Sequence, residues 1–234
     1  RIASDNRGNI WFTEFYGNKI GMFDPRKEIF REYPLPKPGS RPSGIVVDKK
    51  GVVWFLETEG NNLARLNPQD GTIQEFALPN AHETPRDLAI DESGTLWFGG
   101  HIGRNLMTFN PATKKFKTFF MPSNGAIESL AAGKDGKIFC TLLTSSKIAV
   151  FDSATRAFLE LDVGDAWAAN VSPDVKKDVK KTGTSKLIDS MDPSKDESGK
   201  SKPNGIAADS KGDIWFVDMN KDALIKLDAR MAAK

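Results

Sequence analysis

The sequence predicts an all-β fold, a β-propeller of four-stranded antiparallel blades, on three observations. First, one signature recurs five times: Gly8-Asn9-Ile10-Trp11-Phe12, Gly51-Val52-Val53-Trp54-Phe55, Gly94-Thr95-Leu96-Trp97-Phe98, Gly136-Lys137-Ile138-Phe139-Cys140 and Gly212-Asp213-Ile214-Trp215-Phe216. Second, the anchors Trp11, Trp54, Trp97, Phe139 and Trp215 lie 43, 43, 42 and 76 residues apart. A period of roughly 40–45 residues made of short strands is that of a propeller blade. Third, the copies share fixed offsets on both sides of the anchor. Six residues before it stand Asp5, Asp48, Asp91, Gly133 and Asp209; nine after it stand Ile20, Leu63, Leu106, Ile148 and Leu224.

Each strand follows from its residues. Strand A is the apolar run before the Asp, as in Gly44-Ile45-Val46-Val47. Asp-x-x-Gly makes the A–B turn, because Asp caps its own backbone and Gly accepts a positive φ. Strand B is the Trp-Phe segment. Strand C is of the type Lys19-Ile20-Gly21-Met22-Phe23, and Asp24-Pro25, Asn67-Pro68 and Asn110-Pro111 begin the C–D turn. Strand D covers Phe30 to Leu35, Ile73 to Leu78 and Phe116 to Met121, each followed by Pro36, Pro79 or Pro122. Pro ends a strand at the outer edge without removing a needed ladder donor. A large aromatic at one phase of every copy is what packing between blades requires, so these rings are core and not a ligand box.

The long fourth interval holds residues 165–202. Two readings compete. One is a degenerate sixth blade with Val179 at the anchor position and Asp192 at the turn. The favoured one is a polar insertion with a short helix, capped by Ser172, with Pro173 in its first turn and Gly183 as its stop. It holds eight Lys against seven Asp plus Glu, which reads as a solvated face. The whole chain, 1–234, reads as a single domain. Its last copy supplies strands A to C and then Ala229-Arg230-Met231-Ala232-Ala233-Lys234, so five or six blades fall within these residues, as part of a six- or seven-bladed ring.

Composition excludes several classes. The net charge of +2, from 33 Lys plus Arg against 31 Asp plus Glu, argues against a nucleic-acid protein. No apolar run reaches the length of a transmembrane helix, about 18 residues. Cys140 is the single cysteine, so no intrachain disulfide and no Cys-x-x-Cys metal site can form. The chain begins at Arg1 and not at Met, which reads as a processed or partial chain.

The pattern Pro42-Ser43-Gly44-Ile45, Asp48-x-x-Gly51, Trp54-Phe55-Leu56-Glu57, Asn62-Leu63-Ala64-Arg65-Leu66 and Glu75-Phe76-Ala77-Leu78-Pro79 resembles the repeats of the virginiamycin B lyase (streptogramin lyase) family, and more distantly the NHL-type propellers. Trp11-Phe12-Thr13-Glu14 and Glu32-Tyr33-Pro34-Leu35-Pro36 resemble it especially closely. The resemblance covers roughly residues 1–163 and 203–228. It implies a periplasmic or secreted protein. It also implies a magnesium-aided elimination that opens a cyclic depsipeptide at its ester, with a base beside the carbonyl and a metal or acid for the developing charge.

That family's site resembles Pro-His-Gly at the start of an inner strand, followed after strand B by Trp-Phe-x-Glu-x-His. Carried over position by position, the three places hold Ser43, Glu57 and Glu59 in the second copy. They hold Arg86, Gly100 and Ile102 in the third, and Asn204, Asp218 and Asn220 in the last. In the first copy Glu14 and Tyr16 take the later two. No His stands at any of them, which argues against the lyase reaction.

The D–A and B–C connections emerge on one face of a blade. That face collects Glu14, Tyr16, Arg41, Ser43, Glu57, Glu59, His82, Glu83, Arg86, His101, Arg104, Lys202, Asn204 and Asp218. Should the chain be an enzyme, Glu14, Glu57 and Asp218 are the catalytic candidates. A divalent cation, Mg or Ca, would draw on Glu14, Glu57, His82 and His101, oxygen and imidazole donors suited to such ions. The remaining Tyr16, Arg41, Ser43, Glu59, Arg86, Arg104, Lys202 and Asn204 would form a ligand or partner surface. Two function classes follow. One is a non-catalytic extracytoplasmic binding or scaffold module within a larger assembly, with a protein partner or a small-molecule ligand. The other is a metal-assisted C–O lyase or lactonase-like hydrolase on a cyclic ester.

Overall fold

The computed structural model describes residues 1–123, 125–163, 202–220 and 223–227. They form five antiparallel sheets, the blades the sequence predicts. The blades fall into two compact units, Arg1–Met121 and Pro122–Lys234. Most of the segment read as an insertion or sixth blade lies outside the described residues, as does anything after Leu227.

In the first unit, blade one is β1 (Ile2–Ser4), β2 (Ile10–Glu14), β3 (Lys19–Asp24) and β4 (Ile29–Pro34). Blade two is β5 (Pro42–Val47), β6 (Val53–Glu57), β7 (Asn62–Leu66) and β8 (Ile73–Ala77). Blade three is β9 (Pro85–Ile90), β10 (Leu96–Gly100), β11 (Asn105–Asn110) and β12 (Lys115–Phe120). In the second unit, blade four is β13 (Ile127–Ala132), β14 (Lys137–Leu142), β15 (Lys147–Asp152) and β16 (Phe158–Asp162). The fifth is the three-stranded sheet β17 (Pro203–Ala208), β18 (Ile214–Asp218) and β19 (Ala223–Leu227). Strand order within every blade is sequential. The outer strands end a residue before the expected Leu35 and Leu78. Those leucines leave the ladder, and their N–H groups donate to the carbonyls of Asn18 and Asn61, at 3.0 Å each.

The inner strands of blade two are covered on both faces, so alternation along them sorts side chains between neighbours. In β6, Val53 and Phe55 join Trp11, Ile20 and Leu35 in the core against blade one. Trp54 and Leu56 join Leu88, Phe98 and Phe109 in the core against blade three. In the second unit Phe139, Ile148 and Val150 meet Ile206, Phe216 and Ile225. Each such side chain contributes roughly 1.5–3 kcal/mol by leaving water.

The turn Asp does more than cap its own loop. Asp48 Oδ1 accepts from the backbone N–H groups of Lys50 and Val52, both at 2.9 Å, while Oδ2 accepts from the Trp54 indole Nε1 at 3.1 Å. Asp5–Trp11, Asp91–Trp97 and Asp209–Trp215 repeat the indole bond at 3.1, 2.7 and 3.0 Å. The Asp thus fixes the Trp rotamer from six residues away. At Asp5, burial pushes the carboxyl upward, but the bonds from Trp11, Asn9 and the loop backbone outweigh it and hold it below its ordinary value. Blade four, with Gly133 and Phe139, lacks both partners of this bond, and its anchor packs instead in a cluster with Ile148, Val150 and Ile206.

Candidate functional site

The B–C connections of blades one to four share a left-handed last residue. Glu14 pairs with Lys19, Glu57 with Asn62 and Leu142 with Lys147, each closing a four-residue loop. The last loop residue is left-handed in each case: Asn18 (φ 55°), Asn61 (φ 53°) and Ser146 (φ 55°), as is Arg104 (φ 55°) in blade three. Asn tolerates this region better than other non-Gly residues. Its side chain has a second use here. Asn18 Nδ2 donates to Lys37 O at 2.8 Å and its Oδ1 accepts from Arg41 N at 3.2 Å. Asn61 does the same with Asn80 O (2.8 Å) and Glu83 N (3.2 Å). Each Asn ties its own loop to the connection entering the next blade.

The carboxylates expected to be catalytic sit behind these loops. Glu57 is fully buried. Its Oε2 accepts from Asn62 Nδ2 at 2.8 Å and lies where a Cβ on Gly60 would stand 2.7 Å away. Its Oε1 has no hydrogen-bond partner among the described residues. Burial pushes the Glu57 carboxyl above its ordinary value. Asn62 opposes the shift, nearby Glu75 adds to it, and Lys37 and Ser40 lower it. Glu14 is half-buried and is likewise covered by its glycine, Gly17, whose added Cβ would stand 2.9 Å from Oε2.

In blade three the same place is filled from the other side. Gly100 stands where Glu57 stands in blade two, and the space over it is taken by Glu83, which comes from the connection before β9 and occupies the position of Ser40. Glu83 is 1% exposed, and its Oε1 accepts from Asn80 Nδ2 at 2.8 Å and from Asn105 Nδ2 at 3.3 Å. Asn105 is the counterpart of Asn62. In blades two and three one buried carboxylate, bonded to the first residue of the third strand, is kept while its source changes.

In the second unit Asp218 is fully buried; its Oδ1 accepts from the backbone N–H groups of Lys202 (3.0 Å) and Asn220 (3.1 Å). Blade four has Leu142 at this place.

The other candidates separate into buried ties and an open edge. Ser43 is 7% exposed; its Oγ donates to Pro85 O at 3.1 Å, and Thr58 Oγ1 bonds both, at 2.8 Å each. This is an interblade tie. Asn204 Nδ2 approaches Met219 Sδ at 2.8 Å, and its carbonyl accepts from Thr141 at 2.5 Å. His82 is exposed at φ 59°, His101 half-buried, and Arg86 and Arg104 exposed. Among the described residues no three His, Cys, Asp or Glu side chains come together as a metal site, so the structure does not assemble Glu14, Glu57, His82 and His101 into one.

Tyr16, Arg41 and Glu59 do come together. Tyr16 is 90% exposed. The Arg41 guanidinium lies 5.6 Å from the Phe15 ring centre and 6.0 Å from that of Tyr16, and its Nη1 is 3.5 Å from Glu59 Oε1. Phe15, which was not among the expected site residues, meets Tyr16 edge-on at 5.1 Å. Its signal was available in the sequence: an aromatic pair at the tip of a loop where no other copy has Phe, Tyr or Trp.

Blades of this construction, four of them with an Asp-locked tryptophan, define a β-propeller. The sequence matches the virginiamycin B lyase family over residues 1–171, and the chain belongs to that family. Among solved structures it is similar to a catalytically inactive His-to-Ala variant of virginiamycin B lyase from Staphylococcus aureus with quinupristin. The identity is 23% and the TM-score 0.75, covering 97% of this chain and 66% of that one. A streptogramin B lyase structure follows at 22% and 0.74, covering 97% and 63%. A nidogen/laminin complex chain matches at 14% and 0.69, covering 99% and 76%. At these identities the likeness is one of fold. The chain spans about two thirds of the length of the two lyases. Comparison with curated proteins finds no match. No described helix is long and apolar enough to cross a membrane.

Proposed function

We propose that this chain is a non-catalytic binding or scaffold module of the lyase family, a single domain acting outside the cytoplasm within a larger assembly. The observation that carries this reading is the state of Glu57. The carboxylate at the family's acidic position is sealed behind Gly60 and bonded to Asn62, where it braces a loop and meets no substrate. Ser43, Arg86 and Asn204 at the first histidine position, and Tyr16, Glu59, Ile102 and Asn220 at the second, supply no imidazole base. The exposed edge Tyr16–Arg41–Glu59 has the composition of a protein contact, an aromatic and an Arg held in place by their neighbours. A small-molecule ligand on the same edge is the lesser form of this reading, and nucleic acid is disfavoured by charge.

A metal-assisted lyase or lactonase-like hydrolase is the second reading, favoured by one observation. Glu57 Oε1 is a buried oxygen without a hydrogen-bond partner among the described residues, as a donor awaiting a Mg or Ca ion would be. An assay of the full chain with a streptogramin B-type cyclic depsipeptide, with and without magnesium, separates the two. The module reading expects no linear product above the blank by mass spectrometry. Turnover that Glu57→Gln or Glu14→Gln abolishes would overturn it.

A further inference from the structure

The first unit has a second concave feature, at the end of the blades opposite the loop edge. A cleft of about 330 Å³ opens between blades one and two, beneath their A–B and C–D turns. Its floor holds Trp11, Met22 and Tyr33, and its rim carries Arg7, Arg26, Lys27, Arg31, Lys49 and Lys50. The volume falls in the range of small-ligand pockets, roughly 300–1,000 Å³. Asp5 and Asp24 are the two acidic lining residues, and both are committed. Asp5 accepts from Trp11, Asn9 and Arg7 N, and Asp24 accepts from Arg26 N, with Arg26 Nε at 3.6 Å. Lys49 Nζ donates to Glu92 O at 3.0 Å. Arg7, Lys27, Arg31 and Lys50 form no ion pair among the described residues, and all four are exposed.

The fold does not require this charge. The two central residues of an Asp-x-x-Gly turn point to solvent, and Asp and Gly alone set its backbone. The neighbouring blade pair in the same unit is the internal control. There the corresponding places, in the same order, are Lys50, Gln69, Asp70, Gln74, Glu92 and Ser93. Six cations at one pair of blades become one cation and two acids at the next. The whole chain carries only +2, so the concentration is local. Converging cations around a concave site raise the local potential and select oxyanions, and Arg offers them a bidentate fork.

We propose that this cleft is a binding site for a small ligand bearing two or more phosphate- or sulfate-type oxyanions. One oxyanion would sit between Arg7 and Lys50 on the turns and another by Lys27 and Arg31, with Tyr33 below. The site is separate from the loop edge and stands whether or not the family chemistry is present.

Inorganic tripolyphosphate is the probe, titrated calorimetrically into the full chain at about 20 and 200 mM salt. The expected result is saturable 1:1 binding that weakens at least tenfold between the two salts. Arg31→Gln and Lys50→Gln should each weaken it at least fivefold, and Arg41→Gln, at the opposite loop edge, should leave it unchanged. All three residues are exposed, and matching circular dichroism and thermal midpoints confirm that the variants fold. Absence of saturation at millimolar tripolyphosphate would overturn the proposal. So would equal losses in all three variants, or binding to vesicles of anionic lipid with none to tripolyphosphate, which would mark a membrane-facing patch.

Discussion

Glu57 Oε2 accepts a 2.8 Å hydrogen bond from Asn62 Nδ2 in a place fully closed to water. The pair joins the last residue of β6 to the first of β7, so it closes the loop that carries Glu59 to the surface. Removing either partner leaves the other buried and unsatisfied. Glu57→Ala or Asn62→Ala should therefore cost about 1–3 kcal/mol of unfolding free energy. Urea denaturation at pH 7 measures this, and Glu57→Gln should recover the whole of the loss.

Glu83 and Gly100 form the mirror arrangement. Gly100 has no positive φ, so Gly100→Ala introduces no backbone strain and only drives a methyl group into the Glu83 carboxylate. The substitution should destabilise by about 1–3 kcal/mol. In a Glu83→Ser background the same methyl has room, as over Ser40 in blade two. A double-mutant cycle should return a coupling of about 0.5–3 kcal/mol. Strict additivity would mean that the two residues do not share the space.

Asp48 gathers two backbone N–H groups and the Trp54 indole. Asp48→Ala strands three donors and should cost about 1–3 kcal/mol, seen in urea melts and in a red shift of tryptophan emission as Trp54 loosens. Arg41→Ala removes only an exposed cation over Phe15 and Tyr16 and an exposed pair with Glu59. Stability should change by less than about 0.5 kcal/mol, so any loss of partner binding in this variant reads out the surface itself.

The blade pattern was legible because its determinants are local. Trp and Asp sit six residues apart and bond directly, and the turn Gly sits between them. The loop end of each blade was legible for the same reason, since alternation and turn chemistry fix which connections share a face. The state of Glu57 was not. Its burial depends on Gly60 folding over it and on Ser40 arriving from the connection before β5. A carboxylate at a family position reads the same in sequence whether it faces a substrate or a neighbouring loop. The exchange of Glu57 and Ser40 for Gly100 and Glu83 was hidden likewise, because one member ends a strand and the other lies on the connection that enters the blade. Arg7, Arg31 and Lys50 are ordinary surface residues in sequence and converge only when blades one and two pack.

The central claim is that the family's acidic position serves the fold, and it is tested most directly by unfolding free energy against pH for the wild type and Glu57→Gln. Burial raises the folded carboxyl above its ordinary 4.5. Between that value and the raised one the folded state holds more protons than the unfolded state, so this group's contribution falls as pH rises through the window. The carboxylates held low, such as Asp5 and Glu160, act below it and with opposite sign. The account predicts that Glu57→Gln removes the decline above pH 4.5 and equals or exceeds the wild type at pH 7 without added metal. A variant less stable than the wild type at pH 7, with the decline unchanged, would contradict it.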